Sequence, residues 1–161
     1  FDLSWSAEII GLIQPFRSIN GYGLFRVMTT ERPEIVIEAS QDGRHWAEWN
    51  LKWKPGDPKN RPRLVAPHQP RLDWQLWFAA LDPQAESYWL SALISRLLTG
   101  TPAVTALMDD PPFPGTPPRY LRLAQYNYHF TSPRERQETG AWWSREFITY
   151  LTPPFSLDDL R

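Results

Sequence analysis

The chain contains no cysteine, which removes disulfides, zinc ribbons, iron–sulfur ligation and thiol nucleophiles together. That absence leaves the compartment open, because extracytoplasmic domains without disulfides are common. Net charge is equally scarce: 17 Lys+Arg against 18 Asp+Glu leave −1. Nucleic-acid binding by counterion release needs a basic face, so no nucleic-acid partner is expected. No apolar run approaches the roughly 18 residues of a membrane span. The chain opens at Phe1 with neither an initiator Met nor a signal-peptide pattern, and is expected to be a piece of something longer. Also missing are a Gly-rich phosphate loop, a Gly-x-Ser-x-Gly elbow and a His-Glu-x-x-His pair. His45, His68 and His129 are too dispersed for a helical metal site. The adjacent carboxylates Asp109-Asp110 and Asp158-Asp159 diverge, whereas acid–base catalysis needs groups that converge on one bond. A domain without enzymatic activity, metal or cofactor is the expectation.

What is present points to a folded unit. With 161 residues, 42% of them hydrophobic, a single domain over residues 1–161 can bury roughly 70% of its unfolded surface without staples. The 17 prolines would suit disorder, but the 9 tryptophans would not, since disordered chains are poor in aromatics. Many rigid turns around an aromatic core are expected.

Along the chain, residues 22–30 are β-rich, and 34–40 alternate with Ile35, Ile37 and Ala39 on one side and Glu34, Glu38 and Ser40 on the other. That period of two predicts a half-buried strand. Asp42-Gly43 then predicts a tight hairpin, leading into a second alternation that sets Ala47, Trp49, Leu51 and Trp53 against Glu48, Asn50, Lys52 and Lys54. Pro55 to Pro62 reads as an exposed loop. Spacings of three and four predict a helix over about 84–99 that Gly100 closes. Thr101-Pro102 opens a short second one, with a tight joint between them. Residues 119–130 alternate again as a long aromatic strand, and 132–140, charged and aperiodic, are expected to be a mobile loop. Strands, then a helical pair, then strands predict an α+β fold, mainly antiparallel sheet or β-sandwich with the helices packed at one side.

Two stretches stand out as candidate sites. Pro67 to Leu81 holds His68, Arg71, Asp73, Trp74 and Trp77 behind two prolines. It suits a ligand cleft between aromatic walls, or a segment crossing the core with its polar groups satisfied internally. We expect the second: Arg71 and Asp73 mostly buried, paired with each other, and Asp73 ionised. The other stretch is Trp142-Trp143-Ser144-Arg145. On a strand the two indoles point to opposite faces, one buried and one resting on a surface or neighbour. An exposed Trp beside Arg145 is an interface anchor, and Arg stacked over indole in a core pair is the alternative.

These residues also carry a resemblance. Tyr22-Gly23-Leu24-Phe25-Arg26-Val27-Met28-Thr29 with Arg32-Pro33-Glu34, then Ser40 to Trp46, Lys54-Pro55-Gly56 and the whole Pro67–Leu81 block stand in order. Pro112-Phe113-Pro114, Pro117-Pro118, Arg122, Tyr126-Asn127-Tyr128, Phe130 and Gly140 to Arg145 come after them. The chain resembles the C-terminal, non-membrane domain of the lipase maturation factors over nearly its whole length. The resemblance implies a fragment of a multi-span membrane protein, in animals of the endoplasmic reticulum membrane, with this domain on the lumenal or extracytoplasmic side. It implies a chaperone-like role toward dimeric secreted lipases as protein partners, and membrane attachment through spans outside this sequence. Ser40 to Trp46 is also similar to a hairpin of discoidin-like β-sandwich domains, which raises the alternative of a module binding glycan or lipid head groups.

Overall fold

The computed structural model describes residues 30–65, 70–83 and 87–160. All but Thr30 belong to one compact unit, residues 31–161. The β-rich stretch at 22–29, His68 and the first residues of the helix expected from 84 lie outside the described residues.

Four antiparallel strands form one sheet in the order β2-β1-β3-β4: β1 (Pro33–Ser40), β2 (Ala47–Trp49), β3 (Tyr120–Phe130) and β4 (Trp143–Tyr150). Among the described residues, three helices lie between β2 and β3: α1 (Arg71–Leu81), α2 (Ser87–Leu98) and the single turn α3 (Pro102–Thr105). A fourth, α4 (Pro133–Thr139), joins β3 to β4, and a 3-10 turn covers Asp158–Leu160. The α+β class is what the element order predicts. The second sheet of a sandwich is not among the described residues.

Alternation along β1 and β3 divides the sheet into two faces. Ile35, Ile37 and Ala39 share the first with Leu121 and Leu123, and meet Leu76, Ile94 and Leu97 from the helices in one core. The expected helical pair is there. Gly100 closes α2 at φ 63°, and Pro102 starts α3 behind Thr101, although the Thr101 side chain caps nothing.

The structure corrects four expectations. β1 is buried on both faces, Glu34 and Glu38 included, because it is a central strand and cations cover the carboxylates. The hairpin forms, with Ala39 opposite Ala47, but its loop spans residues 41–46. Asp42 organises that loop by accepting the backbone N–H groups of Arg44 and His45. The Pro55–Pro62 segment is a strap, not a free loop. Gly56 O accepts the Tyr128 hydroxyl, and Pro58 O accepts the N–H groups of both Trp142 and Trp143. Finally, residues 133–139 are helical. Ser132 and Glu135 form a reciprocal capping box, Pro133 comes directly after the cap, and Gly140 ends the helix at φ 71°. These end signals hold a short helix that has no apolar face to bury.

Candidate functional site

The Pro67–Leu81 block proves to be mostly helix, and that decides the fate of its charges. On a helix, residues two apart lie about 200° around the axis, so Arg71 and Asp73 cannot face each other. Arg71 is exposed at the start of α1, while Asp73 is buried. The expected pair is therefore absent. One Asp73 carboxylate oxygen instead accepts the backbone N–H groups of Trp53 at 3.0 Å and Lys54 at 3.1 Å. Burial pushes its pKa up, and those N–H groups with the Lys54 charge hold it back. Asp73 is thus a fastener between α1 and the segment that leads from β2 into the strap. Trp74 and Trp77, both half-buried, cluster with Phe78 at ring separations of 5.2–5.4 Å. Leu76, Ala79 and Ala80 from the same helix fill the core.

The second stretch belongs to the opposite face of the sheet. Trp143 is buried, stacks on Phe130 at 4.1 Å and donates its indole N–H to Asn60 O. Trp142 is half-buried under the Arg136 guanidinium at 4.3 Å, with Arg61 at 5.4 Å. One indole is buried and the other covered by neighbours, but Trp142 precedes β4 and packs against the same cluster as Trp143 instead of facing the opposite side of the sheet. Arg145 does not stack on either. It forks onto both Glu48 carboxylate oxygens, at 3.0 and 2.5 Å, and donates to the Tyr128 hydroxyl at 2.9 Å. Burial pushes its pKa down, but the Glu48 and Tyr128 bonds outweigh that and keep it firmly charged. Burial pushes Tyr128 up to about 12.

This face carries more than the sequence suggests. Glu34 is gripped by Lys54 at 2.5 Å and by Arg32 at 2.8 Å, and Glu38 by Arg122 at 2.5 Å. The Arg122 guanidinium lies between two rings, Trp46 at 4.2 Å and Tyr150 at 4.3 Å. Arg145 lies over Tyr126 at 4.7 Å. Three carboxylate–cation groups therefore cross one sheet face, interleaved with aromatic planes. No sequence motif singles out Glu38, Glu48, Arg122, Tyr126 and Tyr150 as a site, since only the strand register places Arg122 and Glu48 on either side of Glu38.

A bulge between Gln125 and Tyr126 completes the surface. Tyr126 faces Phe147 and Ala124 faces Tyr150, which leaves Ile148 as the extra residue. Regular alternation would send Phe147 and Tyr150, three apart, to opposite faces; the bulge brings them to the same one. Their rings sit 4.9 Å apart, and Phe147 meets Tyr126 edge-on at 5.5 Å. Phe147, Ile148 and Tyr150 are each about 50% exposed, on a strand that pairs with β3 alone among the described residues.

Residues 18–153 match the family model described as the lipase maturation factor C-terminal domain. The chain belongs to the lipase maturation factor family. It is 43% identical to human lipase maturation factor 2 over 158 residues, 94% of this chain and 22% of that protein. Against chicken lipase maturation factor 2 identity is 42% with the same coverage. Against mouse lipase maturation factor 1 it is 39% over 155 residues, 91% of this chain and 27% of the relative. The chain thus spans about a quarter of the length of the curated relatives it matches. No solved structure matches it. Among the described residues no helix is long and apolar enough to cross a membrane, and no group of side chains is arranged to hold a metal ion.

Proposed function

We propose that this domain is the client-holding part of a maturation factor and acts by binding rather than by catalysis. The names its relatives carry point to a lipase as the client. Membrane attachment, in the endoplasmic reticulum for animal members, falls to the rest of the longer parent. The observation that carries the proposal is the half-exposed Phe147–Ile148–Tyr150 edge of β4 beside the Arg122 and Arg145 aromatic stacks. Tyr, Trp and Arg dominate the binding energy of protein interfaces. An edge strand also offers unpaired backbone N–H and C=O groups to an extended segment of a partner. The partly buried ion pairs of Arg122 and Arg145 hold the rings stacked on them in place before a client arrives, so little ordering entropy is spent on binding.

The test is co-expression of the full-length parent with a secreted lipase from the same source in cells lacking the endogenous factor. Wild-type parent should restore secreted lipase activity, and a parent carrying Phe147→Ser with Tyr150→Ser should restore little while accumulating to the same level. Equal rescue by the variant would refute the assignment of this surface.

A further inference from the structure

A cavity of about 200 Å3 opens between the 51–65 segment and the Phe130–Trp143 corner of the sheet. Its lining includes neither Phe147 nor Tyr150, so a ligand held there is independent of the client-binding surface. Arg32, Lys52, Lys54, Arg61 and Arg63 line it, against the single carboxylate of Asp109. Arg32 and Lys54 are committed to Glu34, and Lys52 donates to Ala106 O. Arg61 and Arg63 are not so committed. Their guanidiniums lie over Trp142 at 5.4 Å and Trp53 at 5.5 Å, and neither meets a carboxylate among the described residues. Two exposed guanidinium forks beside further cations suit a phosphate or sulfate ester, whose oxygens accept several N–H groups together.

Two features narrow the ligand further. Asp109 forms no side-chain pair among the described residues and would repel a bare anion, yet it accepts well from hydroxyl groups. Phe130, stacked on Trp143 through one face, is 64% exposed and offers a flat apolar plane. The volume lies below the roughly 300 Å3 at which pockets begin to enclose drug-sized molecules, so it fits one ring with its substituent. We infer that this cavity binds an acidic sugar, one pyranose ring bearing a phosphate or sulfate. The ester sits between Arg61 and Arg63, the hydroxyls face Asp109 and Asn60, and the ring lies on Phe130.

The test is NMR titration of the whole chain with glucose 6-phosphate, glucose 6-sulfate, glucose, inorganic phosphate and phenyl phosphate. At least one sugar ester should bind about tenfold or more tighter than glucose, inorganic phosphate and phenyl phosphate, and weaken as salt is added. Arg61→Gln and Arg63→Gln should each lower that affinity about tenfold, the loss expected for one charge-assisted contact. Arg96→Gln, exposed on α2, should leave it unchanged. Inorganic phosphate binding as tightly would reduce the site to a bare cation cluster, and phenyl phosphate binding as tightly would make it an aryl-phosphate site. Either result, or no shift from the sugar esters, overturns the inference.

Discussion

On one face of β1, Ile35, Ile37 and Ala39 meet the helices; on the other, Glu34 and Glu38 meet Arg32, Lys54 and Arg122, and both sets are buried. The first face is held by removal of apolar area from water, about 25 cal/mol per Å2, which tolerates any side chain of similar shape. The second depends on partners. Each carboxylate is tolerable only while its cation stays in place, since a buried ion loses several kcal/mol of hydration that its partner must offset. Rigidity comes from that dependence: Arg122 and Arg145 are clamped to carboxylates, and the rings stacked on them inherit the clamp. The apolar face makes the domain stable. The ionic face makes it particular, and it is the one that leads out to the exposed rings of β4.

The sharpest way to break this contrast is at Glu34. Glu34→Ala should cost about 3–5 kcal/mol by stranding Lys54, whose side chain is 8% exposed, against β1. Leu76→Ala on the apolar face should cost a similar 2–5 kcal/mol, roughly, through an unfilled cavity. The difference appears on repair. The double variant Glu34→Leu with Lys54→Met should recover most of the loss in urea denaturation, because shape is all that an apolar replacement needs. If the double variant is no more stable than Glu34→Ala, the two faces obey the same rule and the contrast fails.

A smaller effect belongs to Asp73, where the faces are tied together. Asp73→Ala leaves the N–H groups of Trp53 and Lys54 without their acceptor and should cost about 2–4 kcal/mol. Asp73→Asn keeps one oxygen acceptor and should cost under about 1 kcal/mol. The pH dependence has a definite sign. Burial raises the folded pKa above its ordinary 3.8, so the folded state keeps this proton to higher pH than the unfolded chain. The stabilisation linked to it is complete below 3.8 and is lost as pH rises through the folded pKa. Asp73→Asn should flatten that decline in stability curves recorded from about pH 3 upward.

The smallest effect is at α4, which lies outside both faces. Ser132→Ala should cost about 1 kcal/mol, read as faster amide exchange over residues 133–139. The Ser132 N–H holds Glu135 below its ordinary 4.5, the reverse of Asp73. Its contribution is present above pH 4.5 and fades as pH falls through the lowered pKa. Exchange in α4 should therefore speed up in acid while the sheet stays protected.

Much of the fold is legible in the sequence, because its signals are local. The alternation of 34–40 and 119–130, the positive-φ glycines Gly43 and Gly100, and Pro102 after Thr101 each act within a few residues. The capping box at Ser132 and Glu135 is equally local but is outweighed, in the sequence, by the run of charges around it. Helix α1 is obscured by apolar residues on nearly every side, which blur a period of 3.6.

What the sequence by itself determined is therefore the strands β1 and β3, the α2–α3 pair, the family and the stock of charges and rings. Tertiary structure decided who meets whom. Asp73 found backbone N–H groups 19 and 20 residues away instead of the neighbouring Arg71, and Glu48 found Arg145 across 97 residues. A bulge turned Phe147 and Tyr150 to one side. The reason is geometric: a helix or strand period sets the direction of each side chain, but strand order and register set what stands opposite. Shifting the register of a strand by one residue would send all of its side chains to the other face and undo these pairs.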